Sequence, residues 1–92
     1  MKLVDLIENI ERVDEELIIF QKDIGDFNSD IILAYGKVGD GAVKEENREI
    51  YHYLIEVFLA KEFIEDWTQG LNYLPSYSET AKRLYEYAIN DA

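Results

Sequence analysis

The sequence predicts an α+β fold: a single α+β domain over residues 1–92, in the order α-β-β-β-α-α, with a small, mainly antiparallel sheet covered by helices. Three observations carry that expectation. Apolar residues recur at helical spacing near both ends of the chain, short runs of β-branched and aromatic residues fill its middle, and clusters of Gly, Asn, Asp and Ser separate them. A chain of 92 residues fits one domain and excludes two.

Over residues 3–13, Leu3, Leu6, Ile7, Ile10 and Val13 share one side of a helical wheel, while Asp5, Glu8, Asn9, Glu11 and Arg12 take the other. Asp14-Glu15-Glu16 breaks the period, and Leu17-Ile18-Ile19-Phe20 predicts a strand at 16–21. Residues 22–30 collect Gly25, Asn28, Ser29 and three Asp, types that bond their own backbone or tolerate left-handed geometry, and so predict a loop. Ile31 to Tyr35 repeats the strand signature at 30–36, and the glycine-rich stretch 36–41 ends it as a hairpin-type loop.

From Glu45 two readings compete, because Ile50, Leu54, Val57 and Phe58 fit helical spacing while Ile50 to Ile55 is rich in β-formers. One helix from 45 to 69 would be about twice the usual length, which favours a strand at 49–55 followed by a helix at 57–69. In that helix Phe58, Leu59, Phe63, Ile64 and Trp67 form the apolar stripe, Trp67 is its largest expected core contribution, and Gly70 stands where a left-handed cap belongs. Pro75 holds off the next helix, and Ser76-Tyr77-Ser78-Glu79 matches a capping box. The last helix then runs to about Ile89, with Ala81, Leu84, Tyr85 and Ala88 inward and a favourable Glu79–Arg83 pair outward.

Composition narrows the function classes. Nine Lys and Arg against 20 Asp and Glu give a formal charge of −11, which opposes contact with phosphate backbones and anionic membrane surfaces. Neither nucleic acid nor membrane is an expected partner. The absence of cysteine removes disulfide scaffolds, thiolate metal sites and thiol nucleophiles, and fits a reducing cytosol. Asp5, Glu8 and Glu11 interrupt any signal-peptide-like run, and no stretch of eighteen apolar residues occurs, so a cytoplasmic protein is expected.

Strings with chemical promise are few. Asp26-Phe27-Asn28-Ser29-Asp30 places oxygen ligands like the start of a calcium loop, but Ile31 replaces the required Gly and Lys37 the bidentate Glu; Asx-type turns are expected instead. Glu49-x-x-His52 has di-iron spacing, yet His52 is the only histidine and lies in a predicted strand, where positions three apart face opposite sides. The glycines of 36–41 match no phosphate-binding pattern, and among 20 acids adjacent carboxylates carry no information. No catalytic residue, cofactor or metal is expected. Tyrosines are the better clue: six of seven lie in the second half, and Tyr51 and Tyr53 share one strand face. Exposed Tyr beside acids is the composition of a protein-binding surface, and the candidate partner-binding set is Asp23, Asp26, Asp30, Glu45, Glu46, Tyr51 and Tyr53.

The segment Tyr53-Leu54-Ile55-Glu56-Val57-Phe58-Leu59-Ala60-Lys61-Glu62, following an acidic N-terminal helix and a Glu15-Glu16-Leu17-Ile18-Ile19-Phe20 strand, resembles the small, acidic, uncharacterised proteins common in bacteria. The resemblance spans much of the chain, rests on hydrophobic pattern, and implies the fold order and a bacterial cytosolic setting. It carries no functional residue.

The expected function is a small acidic protein-binding module, of the immunity or inhibitor type, that meets a basic partner through electrostatically accelerated association. A mimic of nucleic acid belongs to the same class. The alternatives are a small-molecule or enzymatic domain with a pocket near His52, and a self-associating module that pairs an open sheet edge into a homodimer.

Overall fold

A computed structural model of the chain describes residues 1–36 and 43–91. Its elements are α1 (Leu3–Asn9), β1 (Leu17–Gln21), β2 (Ile31–Tyr35), β3 (Val43–Glu46), β4 (Glu49–Glu56), α2 (Val57–Gln69) and α3 (Tyr77–Asp91). The fold is α+β, with one strand more than the sequence suggested. The hairpin-type loop read at 36–41 lies, beyond Gly36, outside the described residues.

The four strands form one antiparallel sheet in the order β2-β1-β4-β3. β1 and β4 are central, and their register shifts between Ile19, which faces Ile55, and Phe20, which faces Tyr53. Leu54 is thus the extra residue of a β-bulge. A bulge of this kind turns two consecutive side chains to one side of the sheet, and Leu54 and Ile55 both enter the core, 2% and 0% exposed.

The core lies on one face of the sheet. Leu3, Leu6, Ile7 and Ile10, Val57 and Ala60, and Ala81, Leu84 and Ala88 bring the helices onto Ile19, Ile31, Leu54 and Ile55. Each fully buried Leu or Ile is worth about 1.5–3 kcal/mol; helical spacing predicted the stripes of α1 and α3, whereas Val57 and Ala60 lie outside the stripe read for α2. α3 packs against α1, α2 and β4.

Local chemistry explains the ends. The α1 period read through Val13 tightens after Asn9 into a single 3₁₀ turn, Ile10–Arg12, and the Lys2 backbone N–H donates to Asp5 at 2.8 Å at its start. Half of the α3 capping box forms, with the Glu79 N–H on the Ser76 hydroxyl at 3.0 Å; the Glu79 carboxylate accepts instead from the Tyr73 hydroxyl. Two expectations are corrected. Gly70 is right-handed (φ −84°) rather than left-handed, because α2 closes with short bonds from Gly70 to Trp67 and from Leu71 to Thr68. Trp67 is not a core residue: α2 turns Val57 and Ala60 inward and leaves Trp67 half-buried beside Phe63, with Phe58 exposed.

The strand that sequence reading missed, β3, pairs with β4 around the two-residue turn Asn47-Arg48. Both turn residues have positive φ, 51° and 65°, as the favoured two-residue hairpin turns require. The usual signal there is Asn-Gly. Arg48 in the left-handed region is strained, and it is exposed with no hydrogen bond or ion pair among the described residues. Arg48→Gly is expected to raise stability by about 0.5–1 kcal/mol in urea denaturation, and Arg48→Val to lower it by about 1 kcal/mol or more.

Candidate functional site

Strand alternation sorts the side chains. Ile18 and Phe20 of β1, Ile32 and Ala34 of β2, Tyr51 and Tyr53 of β4 and Lys44 and Glu46 of β3 point away from the helices. None of them belongs to the core cluster that the helices share. Phe20 is nevertheless 2% exposed, its ring edge-on to Tyr53 with centroids 6.3 Å apart. Tyr51, Tyr53, Ile18 and Ile32 are half-buried around it. This outer face is apolar and aromatic at its centre.

Carboxylates stand at both ends of that face. At one end Glu46 pairs with Glu49 across the β3–β4 turn, and Lys22 reaches Glu49 at 3.4 Å. At the other, Glu15, Glu16 and Glu56 line a shallow depression with Ile18, Tyr35 and Gly36. Burial first, and the charge of Glu56 second, push the Tyr53 phenol above its usual range.

Of the expected partner-binding residues, Glu46, Tyr51 and Tyr53 come together on this face, while Glu45 opposes Ile50 on the other side of the hairpin. The three aspartates occupy the β1–β2 loop, which lies at the same end of the sheet as the β3–β4 turn. Two of them, Asp23 and Asp26, serve the loop itself, and Asp30 reaches Lys2. Asp23 accepts the Gly25 N–H and Asp26 the Asn28 N–H, both at 2.9 Å, which are the Asx turns the sequence suggested. The loop folds toward the helices: the Tyr85 hydroxyl donates to the Ile24 carbonyl at 2.6 Å, and the Gln21 amide to the carbonyls of Asp26 and Phe27. Burial, followed by the charges of Asp23 and Asp26, holds the Tyr85 phenol above its usual range.

Among the described residues, no group of three His, Asp or Glu side chains is placed to hold a metal. His52 is exposed, points to the opposite side of its strand from Glu49, and does not line the depression at Glu15, Glu16 and Glu56. No described helix is long and apolar enough to cross a membrane. Compared with known proteins, the chain matches no family model, no curated protein and no solved structure.

Sequence reading missed a second surface, between α2 and α3. Phe63 stacks on Tyr87 with centroids 4.4 Å apart and lies nearly parallel to Trp67 at 6.4 Å, and the Arg83 guanidinium sits 5.9 Å from the Trp67 ring. Leu59, Glu62, Phe63 and Asp66 recur at i, i+3, i+4 and i+7, a signal legible in the sequence. Tyr87 comes from another helix, and its part is tertiary.

Two carboxylates are held low by identifiable partners. Asp30 accepts from the Lys2 ammonium at 3.0 Å, which lowers its pKa by that hydrogen bond and then by charge. Asp14 is lowered first by the Glu16 backbone N–H and then by the Tyr35 hydroxyl. Depressed folded pKa values give stability that is complete above the unfolded value of about 3.9 and is lost as pH falls through the folded value. Carboxyl NMR titration is expected to place both midpoints below that value, and Asp14→Asn with Asp30→Asn should flatten the acid limb of the stability curve.

Proposed function

We propose that this protein is a small protein-binding module, of the immunity or inhibitor type, that docks a basic protein on the outer face of its sheet. The observation that carries the reading is that face itself: all three helices pack on the other side, and an apolar, tyrosine-bearing centre is left between carboxylates at both ends. A dry aromatic centre with a charged rim is the anatomy of a protein interface. The charge of −11 complements a basic surface and accelerates encounter with it. The setting that accompanies this reading is the cytoplasm of a bacterium.

Tyr51 is the expected anchor, and Glu45 and Glu46 the steering charges. Immobilised protein is expected to retain a basic protein from the lysate of its own cell at low salt and release it at high salt. With that partner purified, Tyr51→Ala should weaken binding about ten-fold or more, as loss of a central anchor does. Glu45→Gln with Glu46→Gln should mainly slow association, and only at low salt. Retention of nothing at either salt overturns the proposal, and so does unchanged binding by both variants.

A second reading, self-association, is favoured by the contrast between the two sheet edges. β3 carries Lys44, Glu45 and Glu46 in four residues, whereas β2, Ile-Ile-Leu-Ala-Tyr, carries no charge, proline or glycine. The Lys22 N–H bond to the Asp30 carbonyl fixes which β2 groups face β1, so those of Ile31, Leu33 and Tyr35 point outward. Among the described residues the Ile31 N–H alone of these is met, by the Met1 carbonyl at 2.7 Å. On this reading the wild type sediments as a dimer at high protein concentration, more so in high salt, and Ala34→Lys sediments as a monomer with unchanged circular dichroism. A wild type that stays monomeric throughout rejects it.

A further inference from the structure

The cleft between α2 and α3 has a composition of its own. Leu59, Glu62, Phe63, Asp66, Trp67 and Tyr87 line a depression of about 360 Å³ that contains three aromatic rings and two carboxylates and no basic side chain. The rings form a ladder, Trp67 to Phe63 to Tyr87, with interplanar angles of 9° and 21°. All three are half-buried, so the ladder keeps surface toward solvent. Neither Glu62 nor Asp66 has an ion pair or side-chain hydrogen bond among the described residues.

Ring faces and unpaired carboxylates attract the same kind of group. The quadrupole of each ring draws a cation to its face, and a carboxylate at the rim adds a hydrogen-bond acceptor for that cation's N–H groups. An apolar occupant would desolvate two charges without compensation, and an anion would be repelled. A planar guanidinium suits the site better than an ammonium, because it can lie along a ring while its edge bonds a carboxylate. The molecule already uses this chemistry next door, where Arg83 lies over Trp67. We infer that the α2–α3 cleft is a recognition site for one arginine side chain of a partner polypeptide.

The inference does not depend on the outer sheet face, which lies across the core from these helices, and the two stand or fall separately. Its test needs no partner, because Trp67 is the only tryptophan in the chain and reports on the cleft directly. The probe is the blocked tripeptide acetyl-Gly-Arg-Gly-amide, titrated at constant ionic strength while Trp67 fluorescence is followed. The control is the same peptide with citrulline, which keeps the shape and removes the charge.

Saturable change is expected with the arginine peptide and none with citrulline, and amide NMR shifts should centre on Phe63 and Tyr87. Glu62→Gln with Asp66→Asn should weaken binding at least ten-fold, whereas Glu8→Gln with Glu65→Gln, elsewhere on the helical layer, should leave it within two-fold. Citrulline binding equal to arginine overturns the inference, as does undiminished binding by the Glu62/Asp66 variant. An equal loss in the Glu8/Glu65 variant overturns it too, since diffuse charge would then account for the signal. Circular dichroism establishes that each variant is folded before it is titrated.

Discussion

The arrangement of this molecule depends on one extra residue in β4. With strict alternation, Tyr51, Tyr53 and Ile55 would share a face, and two tyrosines would have to enter the core beside Ile55. The bulge at Leu54 breaks that parity. Leu54 and Ile55 go inward together against Ile19 and the helices, and Tyr53 goes outward to meet Phe20 edge-on. The same irregularity thus fills the core and furnishes the outer face, so any surface role of the tyrosines is coupled to the packing of the central strands.

A small sheet with helices on one side must brace its connections by other means. The longest described loop, residues 22–30, is held by a few polar bonds from buried side chains, namely Gln21 from below and Tyr85 from α3. Phe27 adds a ring contact to Tyr85 at 5.5 Å. The aspartates that looked available as binding groups spend their oxygens on turn amides and on Lys2, which is why loop acidity and surface acidity are different properties here. Lys61 plays a similar part at the other end, where its ammonium donates to the Val13 carbonyl at 2.6 Å and ties α2 to the end of the first helix.

The aromatic rings that pack on one another fall into three settings according to the elements that carry them. Phe27 and Tyr85 close the core, Phe20 and Tyr53 stiffen the open sheet face, and Phe63, Trp67 and Tyr87 line the groove between α2 and α3. In the first setting the Tyr85 ring is buried and its hydroxyl is bonded to backbone. In the other two Tyr53, Phe63, Trp67 and Tyr87 keep contact with water next to carboxylates while Phe20 is buried beneath Tyr53, an arrangement suited to binding polar and cationic partners.

By itself the sequence determined the elements whose signals are local. Period 3.6 marks α2 and, with its Ser76 cap, α3, and runs of β-branched residues between turn formers mark β1, β2 and β4, because helix and strand each impose a spacing that burial must follow. It also foretold the Asx turns, since Asp bonds its nearest amides whatever lies beyond. β3 was illegible: Lys44, Glu45 and Glu46 lack strand character, and the strand exists because β4 offers it a ladder across a turn that Arg48 adopts under strain. The candidate sites were legible in part, as a Tyr51–Tyr53 pair on one strand face and a Leu59–Glu62–Phe63–Asp66 stripe on one helix. Only tertiary structure decided that the tyrosine pair faces outward, through the Leu54 bulge, and that Tyr87 completes the ring ladder, because parity across a bulge and proximity between helices depend on residues far apart in the chain.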